Sequence, residues 1–232
     1  MGQPTRKINN MTKAVVLLSG GMDSATALAV AKSNSCSCYA LSIDYGQRNK
    51  YEIRAAQSVA EHMGVLEHKI ISLDLADFGG SALTDKTFDI PLIESPGIPV
   101  TYVPARNTIF FSLALAWCEV INGDYIYSGV NAIDYSGYPD CRPEYIKALQ
   151  DLVNLATKQT VESKKIIIKT PLIHLSKAEI ILLGHEKGVD FSKTISCYQI
   201  TQGGTSCGAC DACRLRIQAF KEVDIKDRID YV

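Results

Sequence analysis

The chain has 232 residues, enough for one large domain or a domain with a small appendage, and for a core that removes about 70% or more of the unfolded surface from water. Its 24 Lys and Arg balance 25 Asp and Glu, for a formal net charge of −1, which excludes the basic footprint of a general nucleic-acid binder. No apolar run reaches membrane-spanning length, the polar start MGQPTRKINNMTK lacks a signal region, and eight cysteines without an export signature point to reduced thiols in the cytoplasm.

Residues 1–12 read as a disordered extension. AVVLLS (Ala14–Ser19) is a continuous apolar run, the pattern of a strand buried on both faces. A helix rich in Ala and Leu follows from Asp23 to Lys32. CYALSIDY (Cys38–Tyr45) is a second strand, Arg48–Met63 a helix stopped by Gly64, and EHKIISL (Glu67–Leu73) a third strand. Residues 79–101 hold three prolines and three glycines and form a long loop. Asn107–Val120 is an apolar helix, Asp124–Val130 a fourth strand, Arg142–Lys158 a helix and Lys165–Leu172 a fifth strand. SKAE (Ser176–Glu179) has capping-box spacing and opens another helix. A loop-rich stretch, 197–213, precedes a short helix from Arg214. The alternation predicts an α/β fold: a parallel sheet with crossover helices over 13–190, plus a C-terminal element over 191–232.

LLSGGMDSATALA (Leu17–Ala29) joins the first strand to the first helix. Gly20 and Gly21 let backbone N–H groups approach an anion, the helix N-terminus adds donors and positive potential, and Ser19 and Ser24 add hydroxyls. The loop suits phosphate or pyrophosphate. It lacks the lysine of a Walker loop and the third glycine of a dinucleotide fingerprint. A plain turn with Asp23 or Ser24 as N-cap is the alternative. SGGMDS nevertheless resembles the S-G-G-x-D-S motif of the ATP pyrophosphatase superfamily, whose members cleave ATP between the α- and β-phosphates. That resemblance implies a loop that holds departing pyrophosphate, an adenylated intermediate, and Asp23 orienting Mg²⁺ or the triphosphate.

Parallel sheets bind ligands beyond the carboxyl ends of their strands. DYGQRNKYE (Asp44–Glu52), GVNAIDYSGYPDCRPEY (Gly129–Tyr145) and KTPLIHLSKAE (Lys169–Glu179) fall there, and VPARN (Val103–Asn107) puts a cation and an amide at a helix start. Asn131, Asp134, Tyr135, Ser136, Tyr138, Asp140, Cys141 and Arg142 crowd twelve residues after strand four. That mix suits a planar heterocycle: Asp134 or Asp140 accepting from ring N–H groups, tyrosines stacking, Arg142 pairing with a carboxylate. A solvated turn has a similar composition. Cys141 has no histidine nearby in sequence and reads as a buried thiol, as do Cys36, Cys38 and Cys118.

Cys197, Cys207, Cys210 and Cys213 form the pattern C-x9-C-x2-C-x2-C. Four thiolates are the ligand set of structural zinc. The ferredoxin run shares the triple cysteine but continues to a fourth cysteine and a proline; here RLRI follows Cys213. The site therefore reads as structural Zn²⁺, with Ser196 and Tyr198 reaching toward the pocket.

SGGMDS, DYGQR, VPARN, GVNAIDYSGYPDCR, TPL with Lys177, and the four-cysteine tail occur in this order. Together they closely resemble the 7-cyano-7-deazaguanine synthase family over nearly everything after residue 12. The resemblance implies a Rossmann-like fold with helices on both sheet faces. It implies an ATP-dependent ligase that adenylates 7-carboxy-7-deazaguanine, lets ammonia displace AMP, then adenylates the amide to make the nitrile for queuosine biosynthesis. Mg²⁺ with ATP, free ammonia and a homodimer are expected; nucleic acid and membrane are not. On this reading Leu18, Ser19, Gly20, Gly21, Met22, Asp23, Ser24, Ala25, Thr26, Ala27 and Leu28 bind the ATP phosphates. Asp44 and Arg48 position nucleotide or phosphate. Arg106 and Asn107 steady charge on phosphate. Residues from Asn131 to Arg142 read the deazaguanine. Lys177 contacts pyrophosphate, although a surface lysine in a first helical turn is its default reading. A tRNA thiolation or lysidine enzyme and a zinc-ribbon regulator are the alternatives; the balanced charge disfavours the first and the glycine loop the second.

Overall fold

The computed structural model describes residues 12–90, 97–133, 137–162 and 164–232. Residues 1–11 of the expected extension, and Asp134, Tyr135 and Ser136 of the expected base-reading loop, lie outside the described residues. Five strands, β1 (Lys13–Leu17), β2 (Ser37–Asp44), β3 (Glu67–Ser72), β4 (Tyr125–Tyr127) and β5 (Ile167–Lys169), form one parallel sheet. The order is β3-β2-β1-β4-β5. β1 is central because its side chains are apolar on both faces, as the continuous run requires.

The period of two along β1 divides the core. Ala14 and Val16 pack with α1 (Met22–Ser33), α2 (Tyr51–His62), α6 (Lys177–Glu186) and α7 (Asp211–Glu222). Val15 faces the other way, toward α3 (Arg106–Val120) and α4 (Pro143–Ala156). Val15 and Val16 are fully buried, each contributing about 1.5–3 kcal/mol of transfer free energy. Helices therefore cover both faces, as expected. A short α5 (Lys158–Glu162) links α4 to β5; the helix expected to run to Lys158 stops at Ala156 and restarts.

Several boundaries differ from the sequence expectation, each for a local reason. α2 begins at Tyr51 rather than Arg48. Gly46 at φ 82° opens a turn that Gln47 and Asn49 hold by accepting from the N–H groups of Tyr45 and Tyr51. β4 ends at Tyr127, not Val130, because the chain leaves the sheet at Ser128 and Gly129 to meet α1. β5 stops at Lys169, ahead of Pro171, which has no N–H for a ladder. α7 starts at Asp211 with Cys210 as N-cap, not at Arg214. The N-cap of α1 is Gly21, not Asp23 or Ser24. The capping box of α6 forms as expected, Ser176 and Glu179 bonding reciprocally. The described part of 79–101 has neither helix nor strand, yet Ala82 and Leu83 are buried and the N–H of Ala82 donates to the Val100 carbonyl at 2.9 Å.

Strand order reverses around β1, so a crevice opens beyond the carboxyl ends of β1 and β4. The glycine loop leaves one strand end and Gly129 the other. A Cβ on Gly129 would lie 2.7 Å from the main-chain carbon of Asp23 and 2.8 Å from the N of Ser24. Gly129→Ala therefore forces these backbones apart and lowers stability by about 1–3 kcal/mol. The urea midpoint should fall with an unchanged m-value; a midpoint equal to that of the parent protein would refute the contact.

Candidate active site and cysteine centre

A cavity of about 240 Å³ occupies this crevice. Leu18, Ser19, Gly21, Met22, Asp23 and Ser24 form one wall, Arg106 and Asn107 another, and Asn131, Tyr138 and Lys177 a third. Four separate sequence motifs thus converge. Gly20, at φ 87°, carries the turn between β1 and α1; a Cβ there would collide with the Glu52 carbonyl. The Ser24 hydroxyl accepts from the N–H of Ser19 and donates to the Gly21 carbonyl, so it shapes the loop from within.

Lys177 is buried, not a surface lysine. Its Nζ donates to both carboxylate oxygens of Asp23, at 2.8 and 3.0 Å, and both residues line the cavity. α6 delivers Lys177 at its first residue, immediately after the Ser176 cap.

Most other candidates lie off the cavity wall. Ala25, Thr26, Ala27 and Leu28 are buried in the body of α1, where they pack rather than face the cavity. Asp44 is away from the cavity wall and pairs with Lys50 at 2.9 Å. The Arg48 guanidinium donates to the carbonyls of Asp85 and Phe88, so it fastens the 81–90 loop. Asp140 is buried and accepts from the N–H of Asn107 at 3.0 Å, which caps the start of α3. Arg142 is exposed and donates to the Pro139 carbonyl. Asn131 lines the cavity, but its amide also donates to the carbonyls of Leu172 and Leu175, fixing the loop before α6. Burial, with Asp140 adding, pushes the Cys141 thiol up to about 11, leaving it a neutral structural group that accepts from Asn107 Nδ2 at 3.3 Å. Cys38 and Cys118 are core; Cys36 is half-buried.

The structure adds Tyr45, Gln47, Glu52 and Ser128 to the lining, and Ser196 and Tyr198 beside the cysteines reach it as expected. Burial raises the Glu52 carboxyl to about 7, against the pull of Arg106. Glu52 lay in plain view within DYGQRNKYE; its signal was a carboxylate in the first turn of a helix that starts at a strand's carboxyl end.

The Sγ atoms of Cys197, Cys207, Cys210 and Cys213 lie within 4.8 Å of one another. Tetrahedral Zn–S bonds of about 2.3 Å place sulfurs about 3.8 Å apart, so a small contraction closes the set on an ion. Backbone N–H groups of Gln199 and Cys207 point at Cys197 Sγ, and that of Cys210 at Cys207 Sγ, which favours thiolates. The four sulfurs are too close to ionise together unaided: hydrogen bonding from Cys197 and Cys213 holds the Cys210 thiol down, while Cys197 and Cys213 are pushed up. The Cys197 carbonyl accepts from Asn49 at 2.7 Å, tying this centre to the turn after β2.

Comparison with known proteins fixes the lineage. Residues 13–224 match the model of the queuosine biosynthesis protein QueC. The chain belongs to the QueC family. The 7-cyano-7-deazaguanine synthase of Coxiella burnetii (strain RSA 331 / Henzerling II) is 56% identical over 223 residues, covering 96% of this chain and 99% of the relative. That of Saccharophagus degradans is 57% identical over 219 residues, covering 94% and 97%. A 4-thiouridine synthetase solved with RNA and bound ATP shares the fold at a TM-score of 0.50 and 17% identity, over 92% of this chain and 50% of that one. Membership of the family sets aside the tRNA-modifying and zinc-ribbon alternatives. No helix of the described residues is long and apolar enough to cross a membrane.

Because four sulfurs share one small volume, removing one breaks the whole set. Cys210→Ser should drop bound metal well below one equivalent per chain by elemental analysis. The thermal midpoint should fall with it, since metal affinity in such a site is folding free energy. Unchanged metal content would show that the cluster is not the binding site.

Proposed function

We propose that this chain is an ATP-dependent ligase converting 7-carboxy-7-deazaguanine and ammonia to 7-cyano-7-deazaguanine. The observation that carries the reading is the meeting of the glycine loop and the post-β4 loop on one cavity, at Gly129 and Asp23, in a chain with close relatives of that name.

The substrate carboxylate attacks the α-phosphorus of ATP, and pyrophosphate leaves. The N–H groups of the glycine loop and α1 hold the departing phosphates, and Lys177 moves part of its bonding from Asp23 to them. The Arg106 cation, above the rings of Tyr45 and Phe110 at 6.0 Å from each centroid, stabilises the charge that develops on phosphate. Ammonia displaces AMP to give the amide. The amide oxygen then attacks a second ATP, and loss of AMP leaves the nitrile. The base is read by the loop from Asn131 to Arg142, with Tyr138 as its cavity-facing aromatic. Mg²⁺ supplies charge neutralisation to the ATP phosphates when bound; Asp23 is the carboxylate beside them. Zinc is the ion read for the cysteine centre, where it would staple 196–198 against the cavity. The enzyme works in the cytoplasm, where its eight cysteines stay reduced, and as a homodimer, as the family resemblance implies.

Incubation with ATP, ammonium and 7-carboxy-7-deazaguanine should yield the nitrile by mass spectrometry, with two AMP per nitrile. Asp23→Asn should lower AMP release about 100-fold or more through lost positioning while bound metal stays at the parent level. Nitrile-free turnover, or full activity in the variant, would defeat the assignment.

A further inference from the structure

Glu52 lines the cavity, and the scheme above gives it no task. It stands in the first turn of α2, and its own carbonyl is the surface on which Gly20 packs. That packing fixes α2 beside the glycine loop, with Glu52 on the wall of the same cavity. The two cavity carboxylates of the described residues differ in commitment. Both oxygens of Asp23 are held by Lys177, whereas Glu52 feels burial and the charge of Arg106 and is tied by no hydrogen bond among the described residues.

The chemistry needs such a group. Nitrogen arrives with protons and ends with none. We propose that Glu52 is the base that removes the protons from the substrate nitrogen, both in amide formation and in nitrile formation. The proposal rests on the reading of the function given above. In the first half, the C–N bond forms, the C–O bond to AMP breaks with its electron pair going to phosphate, and one N–H proton passes to the Glu52 carboxylate. In the second half, the amide oxygen bonds to the α-phosphorus, pyrophosphate leaves, and a second proton passes to Glu52 as C=N forms. AMP then departs with the electron pair of the C–O bond, and the last proton passes to Glu52 as C≡N forms. Glu52 returns each proton to solvent between steps. Nothing is oxidised or reduced.

The surroundings suit a base working near neutral pH. Arg106 faces Glu52 from α3 and Tyr45 from the turn after β2; the Asp23–Lys177 pair, Tyr138, Cys141 and Tyr198 line the same cavity. Burial raises the Tyr45 and Tyr138 phenols and the Cys141 thiol, so these stay neutral and do not compete. Glu52, raised by burial to about 7, is a stronger base than an exposed carboxylate and is still ionised above that pH. Its ionised form is the active one, so nitrile formation rises with pH through about 7.

The test uses the full-length protein with its metal and the variants Glu52→Gln and Glu52→Asp. Adenylation alone is read by pyrophosphate exchange into ATP with 7-carboxy-7-deazaguanine and no ammonium. Nitrile formation is read by mass spectrometry with ammonium, across pH. In Glu52→Gln, exchange should stay within about threefold of the parent enzyme, and nitrile formation should fall about 100-fold or more, within the range of a lost general base. The rise through neutral pH should vanish, and Glu52→Asp should recover part of the rate. Nitrile formation within about threefold of the parent in the Gln variant would overturn the proposal. So would loss of exchange in both variants at an unchanged thermal midpoint, which would make Glu52 a phosphate- or metal-holding group. If the parent enzyme shows no exchange with 7-carboxy-7-deazaguanine, the functional reading itself falls, and the base assignment with it; intact exchange with an unaffected variant removes Glu52 alone.

Discussion

Gly129 lies against the main chain of Asp23 with no room for a side chain between them, and the geometry of the cavity follows from that contact. β1 sits between β2 and β4, so the chain leaving β1 and the chain leaving β4 emerge side by side. Gly20 repeats the device on the opposite flank, where the Glu52 carbonyl fills the space of a Cβ. The N-terminus of α1 is thereby wedged between the exit of β4 and the first turn of α2. Its free N–H groups then border the crevice, where an anion gains both their hydrogen bonds and the local positive potential. A methyl group at either glycine would widen the wedge and misplace those donors.

The C-terminal element is bound to that wedge by a buried cation. Arg216 is fully buried, which would be costly for an unpaired charge. All five of its N–H donors are used. Two go to the Asp227 carboxylate at 2.7 and 2.9 Å, two to the carbonyl and hydroxyl of Thr194, and one to the Phe191 carbonyl. Tyr231 donates to the same carboxylate at 2.6 Å. Such a satisfied network is worth less as net stability than as specification of one arrangement, because breaking either partner strands the other. The segment it fixes, 191–194, leads into Ile195, whose N–H donates to the Gly20 carbonyl at 2.9 Å. α7, the cysteine centre and the glycine loop are thus connected through Arg216, Thr194 and Ile195, which explains how Ser196 and Tyr198 reach the cavity wall.

Much of this was legible because it is local. The glycine pair between an apolar strand and a helix, the Ser176–Glu179 cap and the cysteine spacing each state their physics within about twenty residues. The strand–helix alternation likewise fixed the sheet and its parallel sense. What failed to show was pairing across the chain. Lys177 and Asp23 are 154 residues apart, and nothing near Lys177 distinguishes it from an ordinary first-turn lysine. Asp140 looked like a ligand carboxylate because it sits in a polar loop, but Asn107, 33 residues earlier, claims it as a helix cap. Arg48 looked like a phosphate ligand and instead binds two carbonyls of a loop nearly forty residues on. Glu52 went unassigned because its burial, not its sequence context, gives it an unusual proton affinity.

The separation of the two walls bears on how one cavity runs two activations in the proposed reaction. The nucleotide wall is built from the loop after β1, with α1 and α6. The base wall of the proposed reaction comes from the segment after β4. The walls touch through the backbone of Gly129, and in the proposed reaction AMP and pyrophosphate would leave from the first while the base stays on the second. The intermediate amide is then held while a second ATP enters, and the second adenylation begins from a substrate already in place, with its translational and rotational entropy already lost. The Asp23–Lys177 pair suits this cycle. With each other as partners, neither charge is left bare between nucleotides, and in the proposed reaction a triphosphate would compete for the Lys177 ammonium by offering denser charge than a single carboxylate. On that reading pyrophosphate release would return Lys177 to Asp23, which would weaken retention of the product and reset the wall for the next ATP.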